Sequence, residues 1–339
     1  MGLTYGVTPL RQLQYGFEAV AGTALNGDTL WPAAASDVNM INDDREIIVV
    51  PVGDGRLVPP DTSIYTPKLT GTLSLPSTPF GFELGNHIFQ LGIDAEVATQ
   101  DGVGTGYVWA YEIGASGNDP KTATFYGGNN AGVERGNYGF ATAFAISAEA
   151  EGAWMMDSGE IQVRNVEVSS FQSLSASSNE IVLMGNTLLY IDDVGDGFGT
   201  TQISGQLHSF TLNVDTGFRP VPVGDGNLYY SAIKNVGADP MATLELTLEH
   251  TTTAIAERVN WRAKTPRAVR LIATGSALAT PDTYSVKTII IDFPGVYTEF
   301  STLDSADGDD IMTGTLTMHY NSTVAQACTI TVVNELSAV

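Results

Sequence analysis

A chain of 339 residues with 43% hydrophobic content is long enough for two ordinary domains and too apolar to be disordered. Fifteen Lys and Arg face 38 Asp and Glu, a formal net charge of −23, which argues against a nucleic-acid clamp and against a ligand for anionic membranes. The single cysteine, Cys328, excludes an intrachain disulfide framework and a cysteine-rich zinc site.

Taken in chain order, the opening MGLTYGVTPLRQLQ shows no hydrophobic signal core, so export is not expected. Gly6 stands where a myristoylation pattern wants Ser or Thr, and no apolar run is long enough to span a bilayer. The hexapeptide VPVGDG occupies residues 50–55 and returns at 221–226, 171 positions later. The alternating run KLTGTLSL (68–75) predicts a strand, and its TLSL meets TLEL (243–246) at the same offset. Leu84, Ile88 and Leu91 form an i, i+4, i+7 stripe that predicts a short helix. Residues 94–139 are Gly-rich (GVGTGY, GASGND, YGGNNAGVERGNYG) and long for an idle loop, so an arm ordered on assembly is expected there. ATAFAISAEAE (141–151) predicts another strand and answers IMTGTLTMHYN (311–321) at nearly the same offset. A fixed offset across several elements marks an internal repeat, here residues 1–168 and 169–339 with the boundary near 166–179.

In the second part, TLELTLE (243–249) alternates Leu with Thr and Glu, predicting a strand with one dry face. Ile255, Val259 and Arg262 begin a second helical stripe that Pro266 should end. Arg258, Arg262, Lys264, Arg267 and Arg270 place a third of all cations within thirteen residues. They read either as a solvated helix edge or as a docking patch for an acidic surface on another copy. The loop EFSTLDSADGDD (299–310), with Asp304, Asp307, Asp309 and Asp310, is the acidic partner that reading names. Cys328 lies in the alternating ACTITVV, as a small buried hydrophobe would.

The wet faces of four of these strands share one property. They carry Thr70, Thr72 and Ser74; Ser147, Glu149 and Glu151; Thr243, Glu245, Thr247 and Glu249; and Thr315 and Thr317, with no Lys or Arg among them. An ordinary solvated sheet face explains this, since Thr suits strand geometry. So does a channel wall chosen not to hold a polyanion, because duplexes bind proteins chiefly through Lys and Arg on phosphates.

Catalytic chemistry is not visible. His87, His208, His250 and His319 show no metal-ligand spacing, and neither a GxSxG elbow nor a P-loop occurs. VGDGFG (194–199) lacks the strand–GxGxxG–helix context of a dinucleotide site, and DSADGDD (304–310) lacks the spacing of a calcium loop. The reading is a non-enzyme without cofactor. Trp31, Trp109, Trp154 and Trp261 are scattered, which fits core or interface packing better than a carbohydrate platform.

The opening RQLQYGFEAVAGTALNGDTLWPA (11–33) resembles the start of tail tube proteins of long-tailed bacteriophages, through Arg11, the pair Tyr15-Gly16 and the run from Glu18 to Ala24. SFTLNVDTGFRPV (209–221) and YTEFSTLDSADGDDIMTGTLTMHYN (297–321) are similar to that family as well. The resemblance implies a mainly β fold: two tandem copies of a tail-tube-like antiparallel β-sandwich or barrel, each with one short helix. It implies a virion protein that self-assembles as stacked rings, three two-copy chains standing for the usual six, around a lumen through which DNA passes without tight binding. Assembly in the host cytoplasm, no membrane, and a tape measure protein and tail terminator as partners come with it. The Thr, Ser and Glu positions of those four strand faces would then face the lumen, and the Arg, Lys and Asp clusters would make ring or subunit contacts. A capsid decoration or other shell protein is the rival reading.

Overall fold

The computed structural model describes residues 5–50, 55–58, 64–114, 116–239, 241–306 and 308–339. Most of the first VPVGDG and Asp307 lie outside the described residues. The chain opens with β1 (Gln12–Phe17), β2 (Thr29–Leu30) and β3 (Asn42–Asp43). A hairpin of Glu46–Val49 and Ile64–Lys68 follows, then β4 (Gly71–Leu75) and α1 (Leu84–Gly92). Next come β5 (Tyr107–Glu112), β6 (Ala123–Gly128) and the long strands β7 (Val133–Glu149) and β8 (Met155–Ser169). The later half brings β9 (Thr187–Asp193), β10 (Gln202–Ile203) and β11 (Leu207–Asp215). A hairpin of Phe218–Val221 and Ala232–Asn235 leads to β12 (Ala242–Glu249) and α2 (Thr252–Ala263). The last strands are β13 (Arg267–Ala277), β14 (Val286–Phe300), β15 (Asp304–Ala306), β16 (Asp309–Met318) and β17 (Thr329–Asn334).

The protein is mainly β, and its strands pair antiparallel. In the first half the order of neighbours is β2, β1, β6, β7, β8, β4, β3. In the second half it is β10, β9, β13, β14, β16, β12, β11. The two orders coincide element for element, and each half places a hairpin before the strand that leads to its helix.

The coincidence extends to irregularities. β7 bulges between Ala141 and Ala143, and β14 bulges between Tyr297 and Glu299. A threonine is the extra residue in each case. Thr142 Oγ1 donates to the Glu160 carbonyl at 3.3 Å, and Thr298 Oγ1 donates to the Thr315 carbonyl at 3.3 Å. A bulge leaves one residue outside the ladder, and the hydroxyl ties that residue back to the neighbouring strand. Glycines repeat with them. Gly159 stands between Leu75 and Phe144, and Gly314 between Leu246 and Phe300. A Cβ on Gly159 would meet Leu75 at 2.9 Å, and one on Gly314 would meet the Phe300 ring at 2.7 Å. Gly159 makes room for Leu75, and Gly314 makes room for the rings of Phe300 and Tyr297 to lie across the strand.

The pairing order corrects three expectations. β16 corresponds to β8, not to the run 141–151, which belongs to β7 and corresponds to β14. The shift arises because the stretch between helix and bulge is shorter in the second half, so the offset falls from 171 to about 156. Second, the Gly-rich stretch 94–139 is not a projecting arm. β6 lies between β1 and β7, and β5 pairs with β17, so the stretch is woven into the sheets of both halves. Its glycines serve close packing: a Cβ on Gly127 would strike the Asn39 carbonyl at 2.7 Å. Third, Ile255 and Val259 are 47% and 54% exposed, so the α2 stripe faces outward while Ala254 and Glu257 are buried. The helix does end before Pro266, with Lys264 in the left-handed conformation and Thr251 as N-cap.

The halves are joined by backbone as well as by side chains. The C-terminal part of β7 pairs with β11, Ala143–Asp215 through Glu149–Ser209, so one sheet runs across the junction. Most buried hydrophobic residues of both halves form one cluster, in which Trp154 packs edge-on against Phe210, and Tyr138, Phe140, Phe218 and Tyr230 form a second, smaller one. Cys328 is buried in the larger cluster, and burial pushes its thiol pKa up.

Candidate functional site: a cation-free sheet face

Six neighbouring strands, β4, β8, β7, β11, β12 and β16, carry the open face of this shared sheet. Residues opposite each other in register point to the same side. Ser74 stands opposite Glu160 and Thr72 opposite Gln162. Ser147 stands opposite Thr211, which stands opposite Glu245, which stands opposite Thr315. Asn213 leads to Thr243 and Thr317 in the same way, and Glu149 through Ser209 to Thr247 and Thr313. None of these is Lys or Arg. With strands about 4.8 Å apart, six strands make a face roughly 24 Å wide. The other side of the same strands is dry: Leu73, Ile161, Phe144, Leu212, Leu244 and Leu316 are all buried. Strict alternation is what turned one side to water and the other to the core.

The structure therefore brings together most of the expected positions: Thr72, Ser74, Ser147, Glu149, Thr243, Glu245, Thr247, Thr315 and Thr317. Three differ. Thr70 is buried, and its hydroxyl donates to the Val163 carbonyl. Glu151 lies in the turn after β7 with φ 64°. Glu249 is engaged at 2.6 Å by His208, which sits at the bulge of β11. Glu160, Gln162, Ser209, Thr211, Asn213 and Thr313 belong to the face and were missed. Each alternates with buried neighbours as the others do, and cross-strand register assigns it to this side. At the rim Arg219 is held by Asp215 at 3.0 Å. Hydroxyl pairs cross the strands, Thr247 to Thr313 and Thr298 to Thr317, each at 3.1 Å.

The cation cluster divides. Arg267 is buried and bound to Glu257 through two nitrogens and to Asp193. Arg270 is bound by Asp292 and lies over the Phe198 ring, and this pairing raises its guanidinium pKa. Arg267 serves the interior of the chain, and Arg270, partly exposed, is already engaged by Asp292. Arg262 and Lys264 are exposed on α2, and Arg258 is half-buried. Asp304, Asp309 and Asp310 are exposed on the β15–β16 hairpin.

A cavity of about 290 Å³ beside β1 and α1 is lined by Tyr15, Trp31, Leu84 and His87. Its one lining carboxylate, Glu83, is bound by Lys287 at 2.5 Å. Burial, reinforced by Lys121, lowers the His87 pKa to about 4, so this imidazole is neutral at pH 7. Among the described residues no group of three His, Cys, Asp or Glu is placed to hold a metal ion, and no helix is long and apolar enough to cross a membrane. No protein-family model matches the chain, and no curated protein matches it at a significant level.

Proposed function

We propose that this chain is a structural virion protein carrying two copies of one tube-forming fold, and that it builds the hollow tail tube of a long-tailed bacteriophage. The observation that carries the reading is the sheet face: six strands wide, drawn from both halves, wet, hydroxyl- and carboxylate-bearing, and without Lys or Arg at the register positions named above. A wall of this chemistry offers no cations to replace the counterions condensed on a passing polyanion, so DNA slides along it.

The matching strand orders, bulge threonines and sheet glycines support a duplication. Each half contributes four strands to the shared sheet: β3, β4, β8 and β7 from one, β11, β12, β16 and β14 from the other. Three chains closing in a ring would supply about two dozen strands, beyond the 16–18 that leave an aqueous channel in porins. Closure would also remove open strand edges. The resemblance of residues 11–33, 209–221 and 297–321 to tail tube proteins agrees with this architecture.

The test is to replace Glu149, Glu160 and Glu245 with Lys together. Particles should assemble with normal tails and eject DNA poorly, because the new ammonium groups hold phosphate. Normal ejection from assembled particles would remove the face from the lumen and favour a decoration or shell role.

A further inference from the structure

The seam that joins the two halves within the chain has an unfilled counterpart at its ends. In the first half, the β7 edge from Ala143 to Glu149 is covered by β11 of the second half. The corresponding edge of β14 and the residues after it, 299–303, has no strand beside it among the described residues. The counterpart of β11 in the first half is β3 with its flanks, residues 38–44, paired among the described residues only with β4. The helices repeat the difference. α1 is covered by the second half, where Lys287 holds Glu83 and Asn334 Nδ2 donates to the Phe82 carbonyl. On α2 the residues Ile255 and Val259 are open to solvent.

We propose that a second copy of the chain fills this place head to tail. Residues 38–44 of one copy run beside residues 299–303 of the next, and the incoming first half covers the outer side of α2. This rests on the ring reading above and names its contact surface. The internal register fixes the external one. Ala145–Asn213 transposes to Ser301 against Asn42 of the next copy, and Ser147–Thr211 transposes to Leu303 against Met40. Leu303 and Met40 are 53% and 46% exposed in the single chain, and the transposed register sets these two apolar side chains opposite each other. The same register sets Glu299 opposite Asp44, so association should strengthen with ionic strength. A heterologous contact of this kind forms a ring when its rotation closes.

Two experiments decide it. Oxidising assembled Asn42→Cys/Ser301→Cys protein should give a ladder of covalent oligomers on a non-reducing gel, and neither single variant should. Rings or tubes by electron microscopy without a ladder would overturn the seam and leave the tube reading standing. A chain that stays monomeric at every concentration would overturn both. Leu303→Asp and Met40→Asp should each fold, judged by circular dichroism, and fail to polymerise. Mixed one to one, they should form dimers only, since each retains the side the other lacks. Polymerisation of both single variants, or a mixture that stays monomeric, would refute the head-to-tail contact.

Discussion

α1 and α2 occupy corresponding places in the two halves, and they live in opposite surroundings. Leu84, Ile88 and Leu91 of α1 are buried, while Ile255 and Val259 of α2 are half in water. Both helices rest on a matching aromatic, Phe89 against Phe144 and Trp261 against Phe300. The difference is made by what arrives from outside the half. A helix stripe records that something covers it; the cover itself is supplied by topology.

The largest contrast should come from placing a carboxylate on each stripe. Ile88→Asp should cost about 4 kcal/mol or more, because an unpaired charge enters a closed core, whereas Val259→Asp should change the stability of the single chain by about 0.5 kcal/mol or less. Urea unfolding of the two variants measures both; equal losses would show that α2 is as enclosed as α1. The cations at the end of α2 sharpen the same point. Arg267→Ala leaves Glu257 buried without its partner and should cost roughly 3–5 kcal/mol, against about 0.5 kcal/mol or less for Arg262→Ala.

His87, on the enclosed helix, should give the first half its own pH response. Its folded pKa of about 4 lies below the ordinary 6.5, so the unfolded chain takes up a proton that the fold excludes. The stability tied to the neutral ring is whole above pH 6.5 and is lost as pH falls toward 4. His87→Gln should flatten that part of the stability–pH curve relative to the unsubstituted chain; parallel curves would place the imidazole in water. The smallest effect tests likeness instead of difference. Thr142→Val, and Thr298→Val made in a Thr317→Val background, each remove one hydroxyl bond at a matched bulge and should cost roughly 0.5–1.5 kcal/mol apiece, alike within error in thermal melts. Unlike losses would separate the two bulges energetically.

Much of this was legible in the residues. Alternation placed β4, β7, β12 and β16, and the stripes placed both helices. The 171-residue offset located corresponding strands as far as the helix. Beyond it the reading slipped, because unequal connections move the offset and sequence identity is too faint to follow the shift. Charge counting joined Arg267 and Arg270 to Arg262 because their partners Glu257, Asp193 and Asp292 are distant or on other strands. The Gly-rich run looked free for a related reason: glycine marks both loose chain and tight packing, and only the neighbours of Gly127 and Gly139 tell which. The polar face was half visible, since periodicity orients a strand while register decides which strands share a side.

β7 has a mechanical meaning. Its first part is hydrogen-bonded to β6 and its last part to β11, within one unbroken strand of seventeen residues. Two layers that meet only through side chains can slide past each other under load. Here a pull on β6 is handed to β11 through the backbone of β7, so the two halves share the load.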